Sequence, residues 1–333
     1  MAKSAKLALV GVGAFGTRYI DSLLSMPGNE LAWICDLDAA RLHAAIEKSP
    51  TSKVTQDFRD VCGDPAVDAV VVVTPESDHR AIAIEALEHG KHVIVEKPLA
   101  TSETDGTAML EAARRAKRLL MTGFLLRFDY RFARVYERLG RLGQIRTIYA
   151  YRNFDRSLFQ TYSRTHSFIE NAIHDIDLII WYVRSRVKRV HGFCRNTLGL
   201  DNPDVNWGVI EFENGVIAVI QTTWLFPPPP TPGEYQQWNT GMQIMGDGGV
   251  IEVASDRSGF RENTDQAGMM LLDQTAWAEA HHEPRGAFGA MLRHYLACIR
   301  GEAEYGGTTP EQAMESMRIA CQLAQDATRP ERS

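Results

Sequence analysis

The chain predicts an α/β fold, with an N-terminal doubly wound parallel sheet followed by a C-terminal α+β domain whose sheet is open and mostly antiparallel. Three observations carry this expectation. A glycine turn, Gly11-Val-Gly-Ala-Phe-Gly16, sits between a short apolar run and a helical pattern. From residue 5 to 123 strand-like and helix-like segments alternate, as they do when helices cover both faces of a parallel sheet. After residue 145 strand patterns follow one another with no helix between most of them, which calls for antiparallel pairing.

The elements follow in order. Lys6 to Val10 reads as the first strand, and Thr17 to Leu24 takes up helical spacing after the turn. Glu30 to Asp36 is the second strand, and Asp38 is placed to cap a helix over 39–48. A helix near Asp57 to Cys62, a strand over 67–74, a helix from Asp78 to His89, the apolar strand that ends at Lys97, a helix from Ser102 to Arg118 and a strand over 119–123 complete a first domain placed at residues 1–124. Residues 125–333 form the second. Strands are expected there at 145–154, 187–195, 205–213, 216–224, 242–246 and 250–254, with Asn214-Gly215 as a hairpin turn. Ser167 to Trp181 starts irregular and becomes helical, and helices over 287–300 and 309–327 close the chain. Pro227 to Pro230 reads as a stiff surface loop.

Bulk properties narrow the function classes. At 333 residues, 44% hydrophobic and 23% charged, the chain can bury the cores of about two globular domains. A net charge of -6 with a pI near 6.0 leaves no basic footprint for nucleic acid. No apolar run approaches a membrane span, so no membrane partner is expected. The first ten residues mimic a signal peptide, but cleavage there would destroy the glycine turn, so they are read as mature protein. Five cysteines, at 35, 62, 194, 298 and 321, are odd in number and lack any Cys-x-x-Cys, which points to reduced thiols in a cytoplasm and to core filling.

The glycine spacing carries chemistry because each glycine has a separate task. Gly11 permits the tight turn, Gly13 lets backbone N–H groups approach a pyrophosphate, and Gly16 lets helix and strand pack closely, with the anion at the helix N-terminus. Asp36, twenty residues beyond Gly16, would accept hydrogen bonds from the adenosine ribose hydroxyls; the alternative is a cap of the following helix. A carboxylate there would repel a 2'-phosphate, and the first base after it is Arg41, so NAD is the expected cofactor and NADP the disfavoured one. Lys97 ends a doubly buried strand whose carboxyl end opens onto the ligand crevice. It can stabilise charge on a reacting oxygen, or it can be a solvated strand-end lysine.

A second half of the site is suggested by Glu170 and His174, four residues apart and on one face if both lie on a helix. A histidine can take a hydroxyl proton, and a carboxylate one turn away can orient it. Asp177 is an alternative orienter. A helix-start histidine satisfied by local acids, or a metal site from His166, His174 and Asp177, remain as other readings of the same spacing.

Taken together, GVGAFG after the first strand, Asp36, Thr74-Pro-Glu-Ser-Asp-His79, Glu96-Lys97-Pro98 and the acid-x-x-x-His element at 170–174 resemble the glucose-fructose oxidoreductase, inositol dehydrogenase and MocA family, from end to end and nearest to inositol dehydrogenases. The resemblance implies a Rossmann domain for NAD and a substrate domain whose open sheet forms a homodimer or homotetramer interface. It implies cofactor contacts from Gly11, Val12, Gly13, Ala14, Phe15, Gly16, Asp36, Leu37, Thr74, Pro75, His79, Glu96 and Lys97. Lys97 and His174 would be the reacting pair, assisted by Glu170, which stands where that branch has aspartate. Arg127, Asp155 and Tyr235 would join them at the substrate. The expected reaction is oxidation of a secondary alcohol on a sugar or cyclitol, with His174 taking the proton and nicotinamide C4 the hydride. The rival readings are a redox-neutral glycoside enzyme that retains NAD, an NADPH-type reductase of a semialdehyde or imine, and an NAD-sensing protein without turnover.

Overall fold

The structure, a computed structural model, describes residues 4–159, 165–227, 239–254, 262–264, 268–270, 279–280 and 283–329. It divides into two units, Met1–Phe128 with Ala276–Met314 and Asp129–Thr275 with Glu315–Ser333. A single cut near residue 125 therefore misses the return of Ala276–Met314 to the first unit.

The first unit is built on six parallel strands in the order β3-β2-β1-β4-β5-β6, where β1 is Ala5–Val10, β2 Asn29–Cys35, β3 Lys53–Thr55, β4 Ala69–Val72, β5 His92–Val95 and β6 Leu120–Thr122. Strand β3 is absent from the sequence-based expectation because three partly exposed residues are too short to show a period. Leu7, Ala8 and Leu9 are all 0% exposed, as expected of a strand covered on both faces. The strand order reverses at β1, between β2 and β4, so the loops after β1 and β4 flank the crevice where ligands enter such sheets. Helix α1 (Ala14–Ser25) follows the glycine turn, and α2 (Ala39–Lys48) is capped by Asp38, whose carboxylate accepts from the N–H groups of Ala40 and Arg41.

A helix over Ala287–Ile299 belongs to this same core. Its Phe288, Met291, Leu292 and Tyr295 pack with Leu7, Leu9, Tyr19 and Ile20. Burial of each such side chain contributes about 2 kcal/mol, so the unit draws substantial stability from a segment some 160 residues downstream of its last strand.

The second unit holds a six-stranded sheet, β12-β11-β7-β10-β9-β8, with β7 at Ile145–Asp155, β8 at Val187–Arg195, β9 at Val205–Phe212, β10 at Ile217–Phe226, β11 at Asn239–Gly246 and β12 at Gly249–Ala254. Only β7 and β10 pair in parallel; the other four pairings are antiparallel. Asn214-Gly215 turns β9 into β10 with Gly215 at φ +87°, a left-handed conformation that favours glycine. Alternation then sorts the faces. Ile148, Ala150, Ile210, Ala218, Ile220 and Ile244 are buried on the inner face, where a Cβ at Gly208 would sit 3.1 Å from the Leu323 side chain and from Phe168. On the other face Phe193, Trp207, Ile217, Met245 and Val250 remain exposed.

Candidate active site

In the first unit the three glycines differ in what surrounds them. Gly11 has φ +98°, and a Cβ there would lie 2.5 Å from the Val73 carbonyl oxygen, so only glycine lets the turn press against the end of β4. At Gly16 a Cβ would meet the Gly11 carbonyl oxygen at 2.1 Å. Around Gly13, by contrast, nothing lies within 4 Å of the Cβ position. That space opens at the start of α1, whose cap residue Gly13 has no side-chain hydrogen bond to the first-turn N–H groups. A pyrophosphate fits this cradle by charge and by room.

Asp36 is tied to the same turn. Its Oδ2 accepts the Val12 N–H at 2.6 Å and its Oδ1 the Asp38 N–H at 2.9 Å, while the Arg41 guanidinium stands 3.9 Å away. The carboxylate therefore orders the glycine turn. Leu37 beside Asp36 is 82% exposed. Phe15 is half-buried and carries the Arg18 guanidinium 5.8 Å from its ring centre.

Across the crevice, His79 binds two loops together. Its Nδ1 lies 3.0 Å from the Pro98 carbonyl and its Nε2 3.1 Å from that of Thr74. Burial holds its pKa below the ordinary value despite the two carbonyls, so the ring is neutral near pH 7 and donates to one of them at a time. Pro75 is exposed next to Thr74, and the buried Thr74 hydroxyl oxygen has no hydrogen-bond partner in the protein, leaving a polar group for a ligand to satisfy. Glu96 is 8% exposed; its Oε1 accepts from the Tyr19 hydroxyl at 2.6 Å and its Oε2 from the Lys97 N–H at 3.0 Å. Lys97 is half-buried, which sets it apart from an ordinary solvated lysine. Arg127 is buried too, and it donates to Gln312 Oε1 at 2.8 Å, so it is not a surface charge.

In the second unit Glu170 ends a short helix, Ser167–Glu170, and His174 lies in the first turn of the next, Ile173–Val183. Asn171 and Ala172 interrupt the two, so the four-residue spacing is not that of one continuous helix. Glu170 is buried and His174 half-buried. The second helix is fixed to β7 by a bidentate ion pair, Arg152 Nε to Asp175 Oδ2 at 2.7 Å and Nη2 to Oδ1 at 2.9 Å, one residue beyond His174. Asp155, at the end of β7, is 0% exposed; Oδ1 accepts the Ser157 N–H at 2.9 Å and Oδ2 has no hydrogen-bond partner in the protein. His166 caps the short helix by accepting the Phe168 N–H at Nδ1, and burial lowers its pKa to about 4. Among the described residues no three His, Cys, Asp or Glu side chains are grouped to hold a metal ion, and His166 is occupied as a cap. Tyr235 lies outside the described residues.

Residues 5–124 match the family described as "Oxidoreductase family, NAD-binding Rossmann fold", and residues 130–252 match "GFO/IDH/MocA C-terminal domain". The chain belongs to the GFO/IDH/MocA oxidoreductase family. A scyllo-inositol 2-dehydrogenase (NAD(+)) of Bacillus subtilis is 30% identical over 324 residues, covering 93% of this chain and 89% of that protein. An inositol 2-dehydrogenase of Salmonella paratyphi B is 27% identical over 223 residues; the match covers 65% of this chain and 66% of that relative, just under two thirds of its length. The crystal structure of scyllo-inositol dehydrogenase from Lactobacillus casei with bound NAD(H) and scyllo-inositol superposes with a TM-score of 0.82 over 97% of each chain at 19% identity, which establishes a shared fold.

Within this GFO/IDH/MocA chain, the structure brings together Val12 with Asp36, Thr74 with His79 and Pro98, and Glu96 with Lys97. Lys97 and His174 belong to different units. Sequence reasoning missed Tyr19 and the Arg152–Asp175 pair. Tyr19 shows only as an aromatic on the buried face of α1, and neither partner of a contact spanning 77 residues announces the other in the sequence.

Proposed function

We propose that this GFO/IDH/MocA chain is an NAD-dependent dehydrogenase of a secondary alcohol on a cyclitol or a related sugar. The observation that carries the reading is the 30% identity, over 93% of the chain, to an enzyme named for NAD-dependent oxidation of scyllo-inositol. When bound, NAD supplies the hydride acceptor. The chain's own residues do the rest: the Gly11–Gly16 turn and Asp36 hold the cofactor, Lys97 stabilises charge developing on the substrate oxygen, and His174 takes the hydroxyl proton, oriented by Glu170. Asp155, Arg127 and Tyr235 are assigned to the substrate hydroxyls. Cofactor binding is assigned to residues 1–124 and substrate binding to the chain beyond 125. The open face of the second sheet is assigned to a second copy of the chain in a dimer or tetramer, and the five free cysteines suit a reducing, cytoplasmic setting.

Purified protein tested with NAD against a panel of inositol isomers, other polyols and sugars should form NADH with a cyclitol or sugar substrate. Lys97→Ala should then lower kcat by about a hundredfold or more, the scale of losing one preorganised electrostatic donor, with NAD affinity little changed. No NADH with any member of the panel sinks the dehydrogenase reading; near-normal turnover in Lys97→Ala removes Lys97 from the chemistry.

A further inference from the structure

We propose that Tyr19 is a positioning residue for Lys97, acting through the Glu96 carboxylate. The inference rests on the assignment of Lys97 to the substrate oxygen and extends it to a group on a different element. Tyr19 is on α1, two turns beyond the glycine cradle, and is 0% exposed. Its hydroxyl donates to Glu96 Oε1 at 2.6 Å, and the other oxygen of that carboxylate accepts the Lys97 N–H at 3.0 Å. One carboxylate thus bridges a helix side chain and the backbone from which the lysine projects.

The surroundings make this bridge stiff. A buried carboxylate is costly unless its oxygens are hydrogen-bonded, so Glu96 is held wherever its donors are. From the side of Gly123 there is no slack: a Cβ there would fall 2.9 Å from each Glu96 oxygen. The Tyr19 ring packs edge-on against Phe288, with centroids 4.9 Å apart and planes at 87°, and this fixes where its hydroxyl points. Burial first, and then the Glu96 charge, raise the phenol pKa well above its ordinary value, so the hydroxyl remains a donor throughout the working pH range. The consequence is geometric. The helix whose first turn faces the pyrophosphate also sets the backbone of Lys97, so cofactor and lysine are referenced to one rigid element. Small misplacements of a reacting group, of about 1 Å, cost on the order of a hundredfold in rate.

The test uses the full chain and the best substrate of the panel. Tyr19→Phe keeps the ring and removes only the donor. Its kcat should fall about tenfold, part of that misplacement cost, while KM and Kd for NAD stay within about twofold. The primary isotope effect with substrate deuterated at the reacting carbon should rise, because the chemical step becomes more limiting. Leu87→Ala, which opens a cavity at a fully buried residue of the first unit outside the cluster that holds Tyr19 and leaves the bridge intact, controls for stability: it should lower Tm at least as much yet keep kcat. Glu96→Gln breaks the same bridge from its centre, and its kcat loss should not add to that of Tyr19→Phe. Tyr19→Phe or Glu96→Gln with normal kcat, alongside an inactive Lys97→Ala, overturns the positioning role and spares the assignment of Lys97. An active Lys97→Ala overturns both.

Discussion

At the scale of single residues, Asp36 illustrates what a motif can and cannot say. The spacing from Gly16 predicts an acid for the ribose hydroxyls, and the structure sets Asp36 after the second strand, beside the glycine turn. It also gives that acid a second duty, since Oδ2 holds the Val12 N–H at 2.6 Å. Replacement should therefore act on two quantities. Asp36→Ser should narrow the preference for NAD over NADP by removing the charge that repels a 2'-phosphate, with the Arg41 guanidinium, now 3.9 Å from Asp36, released toward it. It should also weaken NAD itself, because a shorter side chain no longer orders the turn at Val12. Ratios of kcat/KM for both cofactors in wild type and variant check this, and equal use of both cofactors by the wild type refutes it. Lys97 was readable in the same way, from a residue type at a strand end, whereas His79 stands out only through the family resemblance. Tyr19 and Arg152 were not readable, because their partners, 77 and 23 residues away, are set by tertiary packing; the His166 cap is missed although Phe168 is only two residues away, because the sequence offers that histidine as a metal-ligand candidate.

Elements were the most legible level where burial imposes a period. The helix over 39–48 has the expected bounds and the expected Asp38 cap, and the hairpin at Asn214-Gly215 forms where the dipeptide predicts it. Legibility failed where an element is short or broken, as at Lys53–Thr55 and at the interruption between Glu170 and His174. The short helix Ser167–Glu170 makes a prediction at this scale through its cap. His166 accepts the Phe168 N–H, so it must stay neutral to do so, and burial takes its pKa from 6.5 to about 4. Between those two values the unfolded chain binds the proton and the folded chain does not, so the stability this group permits is present above pH 6.5 and is lost as pH falls toward 4. His166→Asn retains a capping acceptor and cannot titrate. Its stability, measured by urea unfolding at pH 7 and 4.5, should fall less on acidification than that of the wild type, by roughly 2 kcal/mol. Identical acid sensitivity in the two proteins would falsify the assignment.

For the whole molecule, the sequence indicated two sheets and the order in which they occur, but not the membership of every helix. Ala287–Ile299 has the same amphipathic spacing whichever core it serves; only the packing of Phe288, Met291 and Tyr295 against Leu7, Leu9 and Ile20 assigns it to the first unit. The second sheet raises the remaining question at this scale, because among the described residues one face is covered and the other is not. Its uncovered face carries a cross-strand row, Phe193 opposite Trp207, Trp207 opposite Gln221 and Gln221 opposite Tyr151, with the Trp207 and Tyr149 rings stacked at 6.4 Å. Phe193 is 58% exposed and Trp207 39%, and Ile217, Met245 and Val250 extend the apolar surface across neighbouring strands. A contiguous apolar patch on one face of a sheet is unusual for a protein that stays monomeric, and aromatic residues there are suited to anchor a self-complementary contact. Trp207→Glu with Phe193→Asp leaves the inner face untouched, so the fold should persist while two charges occupy the centre of the contact. Sedimentation should then show wild-type protein as a dimer or tetramer and the double variant as a monomer with unchanged far-UV circular dichroism. A wild type that sediments as a monomer at micromolar concentration, or a double variant that keeps the wild-type mass, removes the sheet face as the site of self-association.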